Sequence, residues 1–351
     1  MAFSELLEAA ATHLLRRQDL ERSGVRDRRI TALERSGELI RLRAGSYVVR
    51  DFWETALPEA RHAAAMLAAR DAARVPPVFS HRSAALLHGF PAWSGWLSPS
   101  RLQPLRVHTT VARGTDTTST RVVRRHIAKL SRDDVTTVAG FACTDAELTL
   151  VDLARSDAFE VALASADSHL RASTRSNRDV SEKEWSAWRD RLQRRAAAMP
   201  GYSGVRAVRA LADLADPRAE SPLESVSRLR LLQLGLVPDL QVMVPGRTGG
   251  RLYLDFVLPE LGFWGECDGK AKYTSSEFLG GSSAEEVVYQ EKRRQDWIAG
   301  TTGLRCIRWG VSEVSTLERF AEHLRAHGVS FPGVPSVVHS PATARFLAAL
   351  P

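Results

Sequence analysis

The 351-residue sequence predicts a multidomain α+β protein, and three patterns carry that prediction. The first fifty residues set short helical stripes before a closing hairpin. The middle mixes alanine-rich helical stretches with two short strand-like runs. RLYLDFVLPELGFWGECDGK, starting at Arg251, alternates apolar and polar residues on either side of a Pro-Glu-Leu-Gly turn. The length accommodates two or three domains with full hydrophobic cores. We place them at 1–55, 56–212 and 213–330, with 331–351 as a C-terminal tail, partly extended from Pro332. Prolines and charges put the main linker at 213–222.

The net charge of +7 is unevenly distributed. Residues 218–351 hold 15 basic and 15 acidic side chains, so the whole excess lies in 1–217. That bias suits nucleic acid, another anionic partner, or plain solubility. The three cysteines, Cys143, Cys267 and Cys306, show no zinc or CxxC spacing, which excludes a disulfide scaffold. No apolar run is long enough to span a membrane and no signal-peptide pattern opens the sequence, so a cytoplasmic location without membrane contact is expected.

The first element is a helix over 3–16 with Leu6, Leu7, Ala10, Leu14 and Leu15 on one stripe. A short helix over 17–22 follows, closed near Gly24. Asp27 is placed to cap a third helix that Gly37 stops. Residues 39–49 then read as a hairpin turning at Ala44 and Gly45. Helix, turn, helix and two-stranded wing is the order of a winged helix-turn-helix. Its third helix offers Arg26, Arg28, Arg29, Thr31 and Arg35, and its wing Arg41 and Arg43, as DNA-binding residues. Arginines on such a helix read guanine edges and wing arginines clamp phosphates. The competing reading is a small helical domain whose arginines are solvated or pair with Asp27, Glu34 and Glu38.

The middle region reads as a helix over 55–74, another beginning at Ser80, strands over 104–110 and 121–126, and mainly helix over 144–171. His81, His88, His108 and His126 match no ligand spacing and are expected to be structural. Four stretches carry a resemblance: RRQDLERSGVRDRRITALERSGELIRLRAGSYVV in the first fifty residues, SHRSAALLHGF at 80–90, RRHIAKLSRDDV at 124–135 and TDAELTLVDLAR at 144–155. In their order they resemble the N-terminal region of AbiEi-type antitoxins, the transcription-repressing half of an abortive-infection toxin–antitoxin pair. The resemblance implies DNA and a cognate toxin as partners, with 56–212 as a central α/β region.

Ser221-Pro222-Leu223-Glu224 opens a strong helix, Ser as N-cap and Glu three residues on, which Gly235 closes. Arg228 is one turn from Glu224 and suited to pair with it. After a first strand at 241–244 comes the Arg251 hairpin. With 259–262 as its turn, Asp255 lies opposite Glu266, and Asp268 shares their face. Opposed like charges destabilise a sheet unless a cation sits between them, and a divalent ion held by oxygens answers that need. Gly265 and Gly269 flank these acids, where backbone could approach a ligand closely, and Lys270 supplies a positive charge for a phosphoryl group. A solvated acidic strand face, with Glu224 merely capping its helix, is the alternative. A helix over 284–299, with Glu291, Lys292, Arg293 and Asp296 on its polar side, and a strand at 304–309 complete an α/β sandwich. His323 and His327, one turn apart, read as surface residues.

Glu224, Asp255, Glu266-Cys-Asp268-Gly, Glu291-Lys-Arg-Arg-Gln-Asp and RCIRW, in that order over 218–312, resemble the PD-(D/E)xK (restriction-endonuclease-like) superfamily. The nearer likeness is to a domain family related to the very-short-patch-repair (Vsr) endonucleases. The resemblance implies Asp255, Glu266 and Asp268 as ligands of Mg2+ or Mn2+ beside the Cys267 carbonyl. Glu224 would support them, Lys270 would assist catalysis, and Lys292 and Arg293 would face DNA. The superfamily's lysine is replaced here by Asp268. The leading expectation is a metal-dependent DNA endonuclease in phage defence or a toxin–antitoxin pair. The alternatives are an antitoxin-type autorepressor with an inactive nuclease fold and a toxin-neutralising interaction protein with no direct DNA role.

Overall fold

The computed structural model describes residues 3–92, 106–112, 118–267, 284–336 and 340–351. It is a mixed α/β chain that divides into two compact units, Met1–Ser165 and Ala166–Pro351. That division falls inside the stretch read from sequence as the central region. Among the described residues no helix is long and apolar enough to cross a membrane.

The first unit opens with α1 (Phe3–His13), β1 (Leu14–Arg16), α2 (Arg17–Arg22), α3 (Asp27–Ser36), β2 (Leu39–Arg43) and β3 (Ser46–Val49). Helix α1 is shorter than its stripe suggested. Leu14 to Arg16 instead pair antiparallel with β3, Leu14 opposite Val48, giving a three-stranded sheet of order β1-β3-β2. Leu14 thereby stays buried while its backbone joins a ladder. Ile30, Leu39 and Tyr47 form the core, with Leu15, Leu20, Val25 and Leu33 packed around them. Gly37 ends α3 in the left-handed conformation, φ 74°, as expected. Asp27 does not cap α3: it is the first helical residue and pairs with Arg17.

Next come α4 (Arg50–Thr55), α5 (Pro58–Asp71), β4 (Val78–Phe79), α6 (His81–Leu87), β5 (Val107–Val111), β6 (Val123–Ile127), β7 (Val135–Val138), β8 (Phe141–Thr144), α7 (Ala146–Ser156) and α8 (Phe159–Thr174), within which the first unit ends. The five strands form one sheet, β6-β5-β4-β8-β7. Small side chains let α5 pack tightly: Ala63, Ala64, Ala65, Ala68 and Ala69 are all buried. Asp145 caps α7 by accepting from the Leu148 N–H.

The second unit continues with β9 (Arg175–Ser176), β10 (Asp179–Val180), α9 (Glu182–Ala197), α10 (Val205–Leu214), α11 (Pro222–Gln233), β11 (Asp239–Pro245) and β12 (Arg251–Leu258). A single turn at Pro259–Leu261 leads to β13 (Phe263–Cys267), then α12 (Ala284–Thr302), β14 (Arg305–Trp309), α13 (Val311–Val314), α14 (Leu317–Ala326) and α15 (Pro341–Ala348). The sheet runs β11-β12-β13-β14, antiparallel except for the parallel β13–β14 pair. Val244, Leu254, Val257 and Trp264 pack with Ile298 of α12. Phe256 and Trp309 pack with Phe320 of α14, and the Trp309 indole N–H donates to Ser227 of α11 at 2.8 Å.

Two sequence expectations fail here for one reason: polar residues found buried partners. The stretch at 213–222 is packed rather than an open linker. Asp216 is buried, donates its backbone N–H to Asp167, and binds the Arg218 guanidinium through both oxygens. Arg228 pairs not with Glu224 but with Asp167, at 3.0 Å, both side chains nearly fully buried. Within the partly extended tail, α15 is capped by Ser340 and tied through Thr343 to Asp213.

Candidate functional site

Helix α11 starts where the sequence placed it, and its first turn holds the key carboxylate. Ser221 accepts from the Glu224 N–H, and the Glu224 side chain accepts from the Glu220 N–H (2.9 Å) and the Ser221 hydroxyl (3.0 Å). The capping role is therefore real. The side chain is only 8% exposed, though, and Gln241 Nε2 donates to it at 3.1 Å. Burial, and then the charge of Asp255, push its pKa up to about 7. A carboxyl near neutrality is poised to exchange a proton at physiological pH.

The hairpin register follows the expected turn. Phe256 faces Gly265, Val257 faces Trp264 and Leu258 faces Phe263, so the next step sets Asp255 against Glu266. There Asp255 Oδ2 accepts the Cys267 backbone N–H at 3.0 Å, a side chain in the role of a ladder acceptor. On the other side of β12, Leu240 faces Phe256 and Val242 faces Leu254, which sets Gln241 beside Asp255. Gln241 has φ 52°, a left-handed backbone that only a few per cent of non-glycine residues adopt. Its side chain bridges Glu224 and Arg178, whose Nη1 donates at 2.9 Å.

Arg178 also lies over the Tyr253 ring, 3.7 Å from its centre, and shares Glu220 with Arg175. Arg171, Arg175, Asn177, Arg178 and Glu220 line an open pocket of about 330 Å³. Three guanidinium groups against one carboxylate leave that pocket basic.

Glu266 takes a different course from Asp255. Arg294 Nη1 donates to Oε1 at 2.6 Å and Arg308 Nε to Oε2 at 2.9 Å, while both arginines also bind Glu291. Arg294 reaches further, to the Tyr253 carbonyl at 3.4 Å, and so crosses from β13 to β12 next to Asp255. Both Glu266 oxygens are engaged. Glu224, Asp255 and Glu266 do not gather their oxygens within 4.8 Å of one another; among the described residues only His81, His108 and His126 form such a group. Among the described residues these acids thus form no three-carboxylate cluster. Asp268, Gly269 and Lys270 lie outside the described residues.

Gly265 serves packing rather than ligand approach. A Cβ there would sit 2.0 Å from Trp309 Cη2, because the indole lies on the glycine. Cys267 is buried, its thiol beside Ser227 and its pKa raised well above the ordinary range, first by burial. That is an inert thiol.

In the first unit Arg26, Arg28, Arg29, Thr31 and Arg35 are exposed on or beside α3, and Arg41 is exposed on β2 with Glu34 at 3.4 Å. Arg43 differs from expectation. Its Nη1 donates to the Ala68 and Ala69 carbonyls, so it closes the C-terminus of α5 instead of projecting from the hairpin. On α12, Lys292 is exposed and Arg293 lies over the Tyr289 ring.

No family model matches the chain. Over 125 residues it is 32% identical to two uncharacterized proteins of Mycobacterium tuberculosis, from strains CDC 1551 / Oshkosh and H37Rv. The match covers 35% of this chain and 42% of each relative, so the chain spans less than half the length of the curated proteins it resembles.

Sequence reasoning singled out Glu224 and Asp255 as candidates and did not single out Gln241, Arg178, Arg294 and Arg308, which the structure sets around them. RCIRW signalled a strand but not that Arg308 would sit beside Glu266 in the parallel ladder. Nothing local to Gln241 announces its backbone.

Proposed function

We propose that this chain is a DNA-binding, antitoxin-type transcriptional repressor whose second unit uses a restriction-endonuclease-like scaffold to grip DNA rather than cut it. The carrying observation is the exposed arginine row on α3, which follows α1, β1 and α2 and precedes the β2–β3 hairpin. That order is the one a winged helix uses to seat its third helix in the major groove. For the second unit, the helix–strand–strand–strand–helix–strand order supports the nuclease-like reading. The Arg294 and Arg308 clamp on Glu266 supports holding over hydrolysis, since it neutralises the acid a metal would need.

Electrophoretic mobility shift of the full chain on the DNA upstream of its own coding sequence tests the reading. Affinity is expected to fall steeply with salt, and Arg28→Ala with Arg29→Ala should lower the salt slope by about 2. Salt-independent or absent binding would remove the proposal. A second reading, metal-dependent phosphodiester hydrolysis with a cognate toxin or phage DNA as context, draws its support from Glu224 beside Asp255. Mg2+- or Mn2+-dependent nicking that Asp255→Ala abolishes would put that reading in place of the first.

A further inference from the structure

The first unit gathers three imidazoles that lie far apart in sequence. His81 opens α6, directly after β4; His108 lies on β5 and His126 on β6. Strands β5 and β6 run parallel, with Thr110 opposite His126, and the Ser80 N–H donates to the His108 carbonyl at 3.0 Å. One ring nitrogen from each histidine lies within 4.8 Å of the other two. His108 Nδ1 and His126 Nε2 are 3.1 Å apart. His81 is buried and the other two are half-buried.

A surrounding layer holds these rings. Asp152 Oδ2 lies 3.3 Å and Ser80 Oγ 3.0 Å from His81 Nδ1, which leaves His81 Nε2 as its ligating atom. Ser83 Oγ accepts the His108 backbone N–H at 2.9 Å and bonds His62 Nε2 at 2.8 Å. His81 takes φ 53°, a strained backbone for a non-glycine residue. Burial first, then neighbouring positive charge, lowers the pKa of His108 to about 3 and of His126 to about 4.

We propose that His81, His108 and His126 form a three-histidine Zn2+ site in the first unit, with Asp152 orienting His81 through Nδ1. Zinc–nitrogen bonds of about 2.0–2.1 Å in a tetrahedron put ligand nitrogens about 3.3–3.4 Å apart, close to the His108–His126 separation. An all-nitrogen donor set favours zinc over the hard cations, which take oxygen. Three protein ligands leave a fourth position for water. The His81 and His126 rings stack at 3.5 Å, 15° from parallel. Their lone pairs run side by side, so loading turns one ring about its soft χ2 torsion. The metal-free rival is a simple N–H···N bond between His108 and His126.

Tag-free full-length protein, stripped with EDTA and titrated with Co2+, decides between them. The expected result is visible d–d absorption that saturates at about one equivalent and is displaced by Zn2+. His126→Phe keeps a ring against His81 and removes the nitrogen. It should weaken binding on the order of 100-fold or more with an unchanged thermal midpoint, and Asp152→Asn by about 10–100-fold. Failure of the wild-type protein to take up Co2+ or Zn2+ at micromolar concentration, or wild-type binding by His126→Phe, overturns the zinc site.

Discussion

Glu224→Gln removes one ionisable proton from the start of α11 while leaving an oxygen that accepts from the Glu220 N–H. The wild-type carboxyl is pushed from its ordinary 4.5 up to about 7, by burial first and Asp255 second. Between those values the folded chain holds a proton that the unfolded chain has released. The Glu224 contribution to stability is therefore fully present at low pH, falls as pH rises from about 4.5, and is lost above about 7. At 1.36 kcal/mol per pH unit the full loss is on the order of 3 kcal/mol. Urea unfolding of wild type and Glu224→Gln, compared from about pH 4 to about pH 8, isolates this group because the other titrating residues are common to both. Relative to wild type, Glu224→Gln should gain about 3 kcal/mol across the window, a midpoint shift of about 1 M or more. Parallel stability curves would refute the buried, Asp255-facing carboxyl.

Two further substitutions test packing and role. Gly265→Ala drives a methyl into an indole that is fixed by Ser227, Phe256 and Phe320, and should cost about 1–3 kcal/mol in thermal or urea unfolding. A stability equal to wild type would mean that Trp309 yields freely. Arg43→Ala should cost about 1.5–3 kcal/mol of stability through the lost carbonyl bonds of α5. Arg41→Ala should spare stability and weaken DNA binding; the reverse pattern in filter-binding and melting assays would return Arg43 to the DNA face.

What the sequence makes legible is local. Apolar periodicity places α2, α3 and α11, and the Pro-Glu-Leu-Gly turn sets the Asp255 hairpin in register, because a two-residue pleat leaves few alternatives. Long-range pairing is what stays hidden. Arg294 and Arg308 come to Glu266 from a later helix and strand, and Arg228 ignores its helical neighbour for Asp167. His81, His108 and His126 share no motif because strand pairing, not spacing, brings them together. The stretch at 213–222 looks solvent-facing in composition until Asp167 and Arg218 claim Asp216.

Gln241 has a consequence for any experiment on its neighbours. Its unusual backbone is held by a side-chain amide gripped at both ends, from Glu224 and from Arg178. Cut either grip and the residue is free to relax into ordinary extended geometry, carrying β11 with it. A phenotype from Glu224 therefore mixes lost charge with altered strand shape, and Gln241→Gly, which tolerates the torsion without the tether, is the control that tells them apart.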